Sequence, residues 1–143
     1  MTTALDGLVV PRLGDGMVRL RSLRGRVVVM SFWATWCAPC RAEMPILEMT
    51  DKSAARKNVS VLAITDEDES TVRRYIRQNG FSVPILIDRG RKIFDRYQVD
   101  ALPVTKIFDG NGHLMAELTL ISESALLAAV EEAHIPSATR APR

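Results

Sequence analysis

A chain of 143 residues, 47% hydrophobic and 25% charged, has the size and balance of one globular domain with a single core. Its net charge of +2 is accounted for by Arg140 and Arg143 near the C-terminus, so no basic stripe points to nucleic acid and no polybasic cluster to a lipid surface. The longest apolar run, around Val27–Ala34, falls far short of the ~20 residues that span a bilayer.

Leu8–Val10 and Met17–Leu20 read as short strands about the turn Gly14-Asp15-Gly16, and Arg24-Gly25 as another turn. Arg26–Trp33 is a nearly continuous apolar strand whose Val-Val-Val-Met centre implies burial on both faces. A helix is expected from Ala38 to about Lys57, kinked at Pro45, where the ring removes a backbone donor. Val59–Ile64 is a second buried strand. Asp66–Glu69 places carboxylates at the start of a helix Ser70–Asn79, and Gly80 ends it. Val83–Ile87 is a third strand and Lys92–Tyr97 a short helix. Val104–Phe108 and Leu114–Leu120 flank Asp109-Gly110-Asn111-Gly112, a hairpin signal. Ser122 can cap a last helix that buries Leu126, Leu127 and Val130. The small, polar run Ser137–Arg143 reads as a disordered tail, which leaves residues 1–136 as the domain.

This order predicts an α/β fold: a central mixed β-sheet flanked by helices on both faces, preceded by the N-terminal strands. Function in such sheets collects at the carboxyl ends of the parallel strands, and Cys37 falls there.

Cys37 and Cys40 are the only two cysteines, in the run Trp36-Cys37-Ala38-Pro39-Cys40. A thiol at a helix N-terminus meets unpaired N–H groups and the helix dipole, which lower its pKa from about 8.5 to roughly 3.5–7.5. Cys37 is therefore the expected nucleophile. Cys40, one turn on, is close enough to displace whatever Cys37 has bound. Pro39 stiffens the turn at little cost to the helix. Zinc would need four ligands, and the other candidates, His113 and His134, lie far apart in the chain. A purely structural disulfide across so short a loop gives little entropic gain. Trp36 reads as a contact surface over the sulfurs, Trp33 and Phe32 as core. No signal peptide is visible, which fits either a cytoplasmic protein or a chain whose signal or anchor has been removed. Cysteine count does not choose between them.

The run Phe32–Pro45, with the leading pattern Leu20–Val28, resembles the thioredoxin superfamily, and within it the TlpA/ResA-type branch. The likeness extends from about Leu8 to Val130 and includes a helix-bearing insertion between the second and third strands. It implies a thiol–disulfide oxidoreductase acting outside the cytoplasm, periplasmic or membrane-anchored, as a reductant of selected protein disulfides. Apocytochrome c cysteines and copper-site cysteines are such substrates in the branch. It implies no bound cofactor beyond the redox-active Cys37–Cys40 pair, no metal, and a membrane-borne thiol–disulfide electron donor. A monomer without nucleic-acid partners is expected. Leu102-Pro103-Val104-Thr105 resembles the family's cis-proline loop, in which Leu102 would offer its backbone to an extended substrate and Pro103 would lie beside the sulfurs.

Two departures matter. Thioredoxins proper carry a buried aspartate where this chain has Ser31, so Cys40 needs another proton acceptor; Asp66 or Glu67 matches the glutamate of some branch members after the following strand, and Glu67 is carried as the candidate acid/base. Leu-Pro-Val-Thr also replaces the more usual Pro-Thr. The alternatives are a cytoplasmic thioredoxin, a peroxiredoxin-like peroxidase with its cysteine in a Thr-x-x-Cys context, and a non-catalytic or copper-binding module on the same fold.

Overall fold

The structure, a computed structural model, describes residues 5–14 and 16–136, with residues 54–57 described by backbone alone; the expected tail 137–143 lies outside them. The elements run β1 (Val9–Pro11), β2 (Met17–Arg19), β3 (Val27–Phe32), α1 (Ala38–Lys57), β4 (Val59–Thr65), α2 (Glu69–Asn79), β5 (Ile85–Ile87), α3 (Lys92–Arg96), β6 (Val104–Phe108), β7 (Leu114–Leu118) and α4 (Glu123–His134). Short 3-10 turns occupy Leu20–Leu23 and Arg89–Arg91.

Five strands form one sheet in the order β5-β4-β3-β6-β7. β3, β4 and β5 are parallel neighbours, while β6 and β7 run antiparallel. The mixed sheet follows from the connections. A helix links each parallel pair, whereas the tight turn after Phe108 forces β7 to return beside β6. There Asp109 accepts from the N–H groups of Asn111 and His113 at 2.9 and 3.0 Å. β1 and β2 pair separately, and the chain just after β1 zips onto β5 through the Arg12–Leu86 bridge and a 2.8 Å bond from Leu13 N to the Ile85 carbonyl.

All six residues of β3 are buried, so its continuous apolar run reports a central strand covered on both faces. Alternation divides them. Val27 and Val29 join Met44 and Leu47 of α1, Val72 of α2, and Leu126 and Val130 of α4. Val28, Met30 and Phe32 face the opposite core with Leu20, Leu86, Phe94 and Phe108. Phe32 meets Phe94 edge to face at 5.1 Å. Each such side chain contributes about 1.5–3 kcal/mol by leaving water.

The strand ends differ slightly from expectation, for local reasons. β5 begins only at Ile85, because Pro84 has no N–H to give the ladder, although its carbonyl accepts from Ala63 N at 2.9 Å. β7 stops at Leu118; three residues on, Ile121 N–H turns away to a carboxylate of α1. α1 runs on through Pro45. Helix α2 starts at Asp68, whose carboxylate accepts from Thr71 N and is held below its ordinary pKa by the Thr71 and Ser70 hydrogen bonds. It ends at Gly80, where φ is 67°. α3 starts differently: the buried Asp88 carboxylate accepts from Ile93 N and Phe94 N at 2.8–3.0 Å, although desolvation pushes its pKa up.

Tyr97, 3% exposed and 5.8 Å from Phe108, has its phenol pushed up to about 12, first by burial and then by the Asp6 carboxylate. A tyrosine in the unfolded chain ionises near pH 10. Between those values the unfolded state loses a proton that the folded state keeps, so stability falls as pH rises. Tyr97→Phe should flatten this alkaline limb. Urea midpoints at pH 9 and 11 test it, and identical slopes in both proteins would count against the assignment.

Candidate active site

Three backbone features place the cysteines. β3 ends at Phe32, and Trp33 N–H continues the pairing onto Ile64 O at 3.0 Å. The chain then turns, Cys37 N–H meeting Ala34 O at 3.2 Å, and Cys37 carbonyl accepts from Arg41 N at 3.1 Å as the first bond of α1. Cys37 thus sits at the mouth of the helix, and its sulfur accepts from Cys40 N–H at 3.2 Å in the manner of a capping side chain. That donor would also stabilise the negative charge of a thiolate.

Cys37 and Cys40 are joined, with the sulfurs 2.27 Å and the α-carbons 5.2 Å apart. The pair is recessed: Cys37 is 4% exposed and Cys40 1%. Around it Trp36 stands 71% exposed, and Ala38 and Pro39 are exposed as well. Trp33 is fully buried behind the pair, tilted against Tyr75 at 5.4 Å and Phe81 at 6.2 Å. Pro39 also lines a cavity of about 420 Å³ together with Leu102 and Pro103. The Leu102–Pro103 bond is cis, Pro103 is buried and Leu102 half-buried. The structure therefore brings Leu102 and Pro103 to one groove with Pro39 of the Cys37–Cys40 turn, with Trp36 on the neighbouring side of Leu102.

Glu67, two residues past the end of β4, is fixed to the same loop. Its carboxylate accepts from Thr35 N at 2.8 Å, Thr35 hydroxyl at 2.6 Å and Thr65 hydroxyl at 2.9 Å. Arg41 closes the loop from the other side, donating to Thr35 carbonyl at 3.0 Å. Ser31, where thioredoxins proper have a carboxylate, accepts from Thr105 hydroxyl at 3.2 Å, and both residues are buried. Ser31 and Thr105 thus form a buried, uncharged polar pair between β3 and β6.

One carboxylate was not singled out from the sequence. Glu43 lies one helical turn after Cys40, on the same face of α1 and 5% exposed. Desolvation holds its pKa above the usual carboxylate range, partly offset by the bond from Ile121 N at 3.0 Å. The available signal was its spacing from Cys40, because an acidic residue at i+3 of a buried helical residue shares its buried face. Among the described residues, no three His, Cys, Asp or Glu side chains gather as metal ligands, and no helix is long and apolar enough to cross a membrane.

Comparison with known proteins agrees with this geometry. The family model described as AhpC/TSA matches residues 4–117. The thiol-disulfide oxidoreductase ResA of Bacillus anthracis is 33% identical over 111 residues, covering 77% of this chain and 64% of that protein. The ResA of Halalkalibacterium halodurans is 35% identical over 108 residues, 75% and 61% of the two chains. The chain thus spans somewhat less than two thirds of the length of these curated relatives. In fold it is similar to a thiol:disulfide interchange protein DsbE of Chlorobium tepidum, with a TM-score of 0.84, 22% identity, and 92% and 95% of the two chains covered.

Proposed function

This chain belongs to the AhpC/TSA family, and from that premise and the paired sulfurs we propose that it is a thiol–disulfide oxidoreductase using Cys37 and Cys40. The observation that carries the reading is a cysteine pair bonded at the mouth of α1, with its collar of Trp36 and Pro39 open to a partner. The ResA-named relatives support the same activity. In the reducing direction the Cys37 thiolate attacks one sulfur of a partner disulfide, and the other partner sulfur leaves as a thiolate that takes up a proton. Cys40, deprotonated, then attacks the Cys37 sulfur and expels the partner's remaining sulfur as a second thiolate, which takes up a proton, so the pair is oxidised by two electrons and the partner reduced by two. Trp36, Pro39, Leu102 and Pro103 form the surface that receives the partner. The substrates we propose are cysteine pairs of extracytoplasmic proteins awaiting haem or metal, with a membrane-borne dithiol resetting the pair.

Reduction of insulin disulfides by the dithiol form, with the Cys37–Cys40 potential titrated against glutathione buffers, tests the activity and its direction. Failure to reduce insulin, with rapid consumption of hydrogen peroxide, would replace it with the peroxidase reading. Ala34 stands where a Thr-x-x-Cys context would put threonine, which favours exchange over peroxide chemistry.

Glu67 is committed to Thr35 and Thr65, whereas Glu43 is buried one helical turn after Cys40 with its proton affinity raised. Glu43 is our candidate for the Cys40 proton. Glu43→Gln keeps an oxygen for Ile121 N–H and removes the charge. It should slow the resolving step about tenfold near neutral pH and delete an ionisation lying above the ordinary carboxylate range. An unchanged pH profile would remove Glu43 from the mechanism.

A further inference from the structure

The two cavities beside Leu102 carry more charge than sulfur exchange requires. The larger is lined by Asp100, Lys106 and Glu117 as well as by Pro39, Leu102 and Pro103. Lys106 belongs to β6, a strand buried at every position, and its side chain is only 7% exposed. Its register partner across the ladder is Glu117, and the two form an ion pair. The ammonium is thereby neutralised inside the sheet, as a buried lysine must be. The smaller cavity, about 140 Å³ on the Trp36 side of Leu102, holds Asp66, Arg91 and again Asp100. Asp66 and Arg91 are paired to each other. Asp100 is exposed, lines both cavities, and makes no hydrogen bond or ion pair among the described residues. It is the one formal charge in either lining without a partner there.

We propose that Asp100 is a specificity-determining residue, selecting disulfide partners that carry a lysine or arginine near the reacting cysteine. This rests on the oxidoreductase reading above. Asp100 precedes Leu102 by two residues, so an extended chain separates them by about 7 Å at most. A partner segment laid along Leu102 therefore brings a side chain within a few positions of its cysteine over Asp100. A cation placed there finds an uncompensated carboxylate, whereas an anion finds like charge with both cationic neighbours already neutralised by their own partners. Apolar contact from Leu102 and the exposed Leu120 suits the aliphatic stem of such a residue.

The test uses the full chain in its dithiol form and three disulfide-closed peptides, identical except for Arg, Gln or Glu two residues from one cysteine. Exchange converts protein dithiol and peptide disulfide to protein disulfide and peptide dithiol, so electrons balance without an added reductant. Acid quenching and chromatography give the rates. The Arg peptide should react about fivefold faster than the Glu peptide at low salt, with Gln between them, and the spread should shrink in 1 M salt. Asp100→Asn should erase the spread while leaving the Gln rate within about twofold of wild type. Equal wild-type rates for the three peptides, or a spread that survives Asp100→Asn, overturns the proposal while leaving the exchange activity standing. Failure of all three peptides to react would instead defeat the oxidoreductase reading and this selectivity with it.

Discussion

With Cys40 replaced by serine, Cys37 should accumulate as long-lived mixed disulfides, and turnover should fall by three orders of magnitude or more. The geometry gives the two sulfurs different work. Cys37 keeps what little exposure the pair has, lies at the helix mouth, and has Cys40 N–H aimed at its sulfur. Cys40 is 1% exposed and can reach only what Cys37 already holds. Cys37→Ser should therefore abolish both turnover and adduct formation, whereas Cys40→Ser should abolish turnover alone. Intact-mass measurement after incubation with a disulfide peptide separates the two outcomes. Adducts on Cys40 in the Cys37→Ser protein would reverse the assignment.

Glu67→Ala should cost about 2–4 kcal/mol of stability and slow exchange about tenfold. Its carboxylate serves Thr35 N–H, Thr35 hydroxyl and Thr65 hydroxyl, and removing it leaves two donors of the half-buried Thr35 and the hydroxyl of the fully buried Thr65 without their acceptor, each worth about 1–3 kcal/mol when fully buried. Thr35 lies two residues before Cys37, so loosening it disturbs the loop that aims the nucleophile. Glu67→Gln retains one acceptor oxygen and should recover about half of both losses. Urea unfolding of the oxidised protein, set beside exchange rates, distinguishes this positioning role from proton transfer. If the Gln variant unfolded like wild type yet lost the pH dependence of exchange, Glu67 would be an acid/base instead.

The fold was legible in the sequence because its strongest signals are local. The six buried positions of β3, the extent of α1, the Gly80 stop of α2 and the Asp109–Gly112 turn each rest on a period, a cap or a turn residue. The pairing of Cys37 with Cys40 was legible for the same reason. What the sequence hid depends on contacts between distant residues. Asp88 as the acceptor for α3, Glu43 bound to Ile121, and Lys106 neutralised by Glu117 all require knowing which elements meet. Glu67 was named on resemblance, but its clamp on Thr35 spans β4 and the loop after β3 and leaves no mark in either segment alone.

The N-terminal hairpin has a consequence for how this protein meets copies of itself. By stitching Arg12 and Leu13 onto β5, it caps one flank of the sheet and, among the described residues, leaves β7 as the strand with an unzipped side. A chain shortened past residue 13 would bare the backbone groups of β5 and strip Leu5 and Val10 from the core beneath. Such a fragment would have two sticky margins rather than one and would stack edge to edge into fibrous or amorphous aggregates. Residues 5–13 therefore act as a solubility device as much as part of the framework.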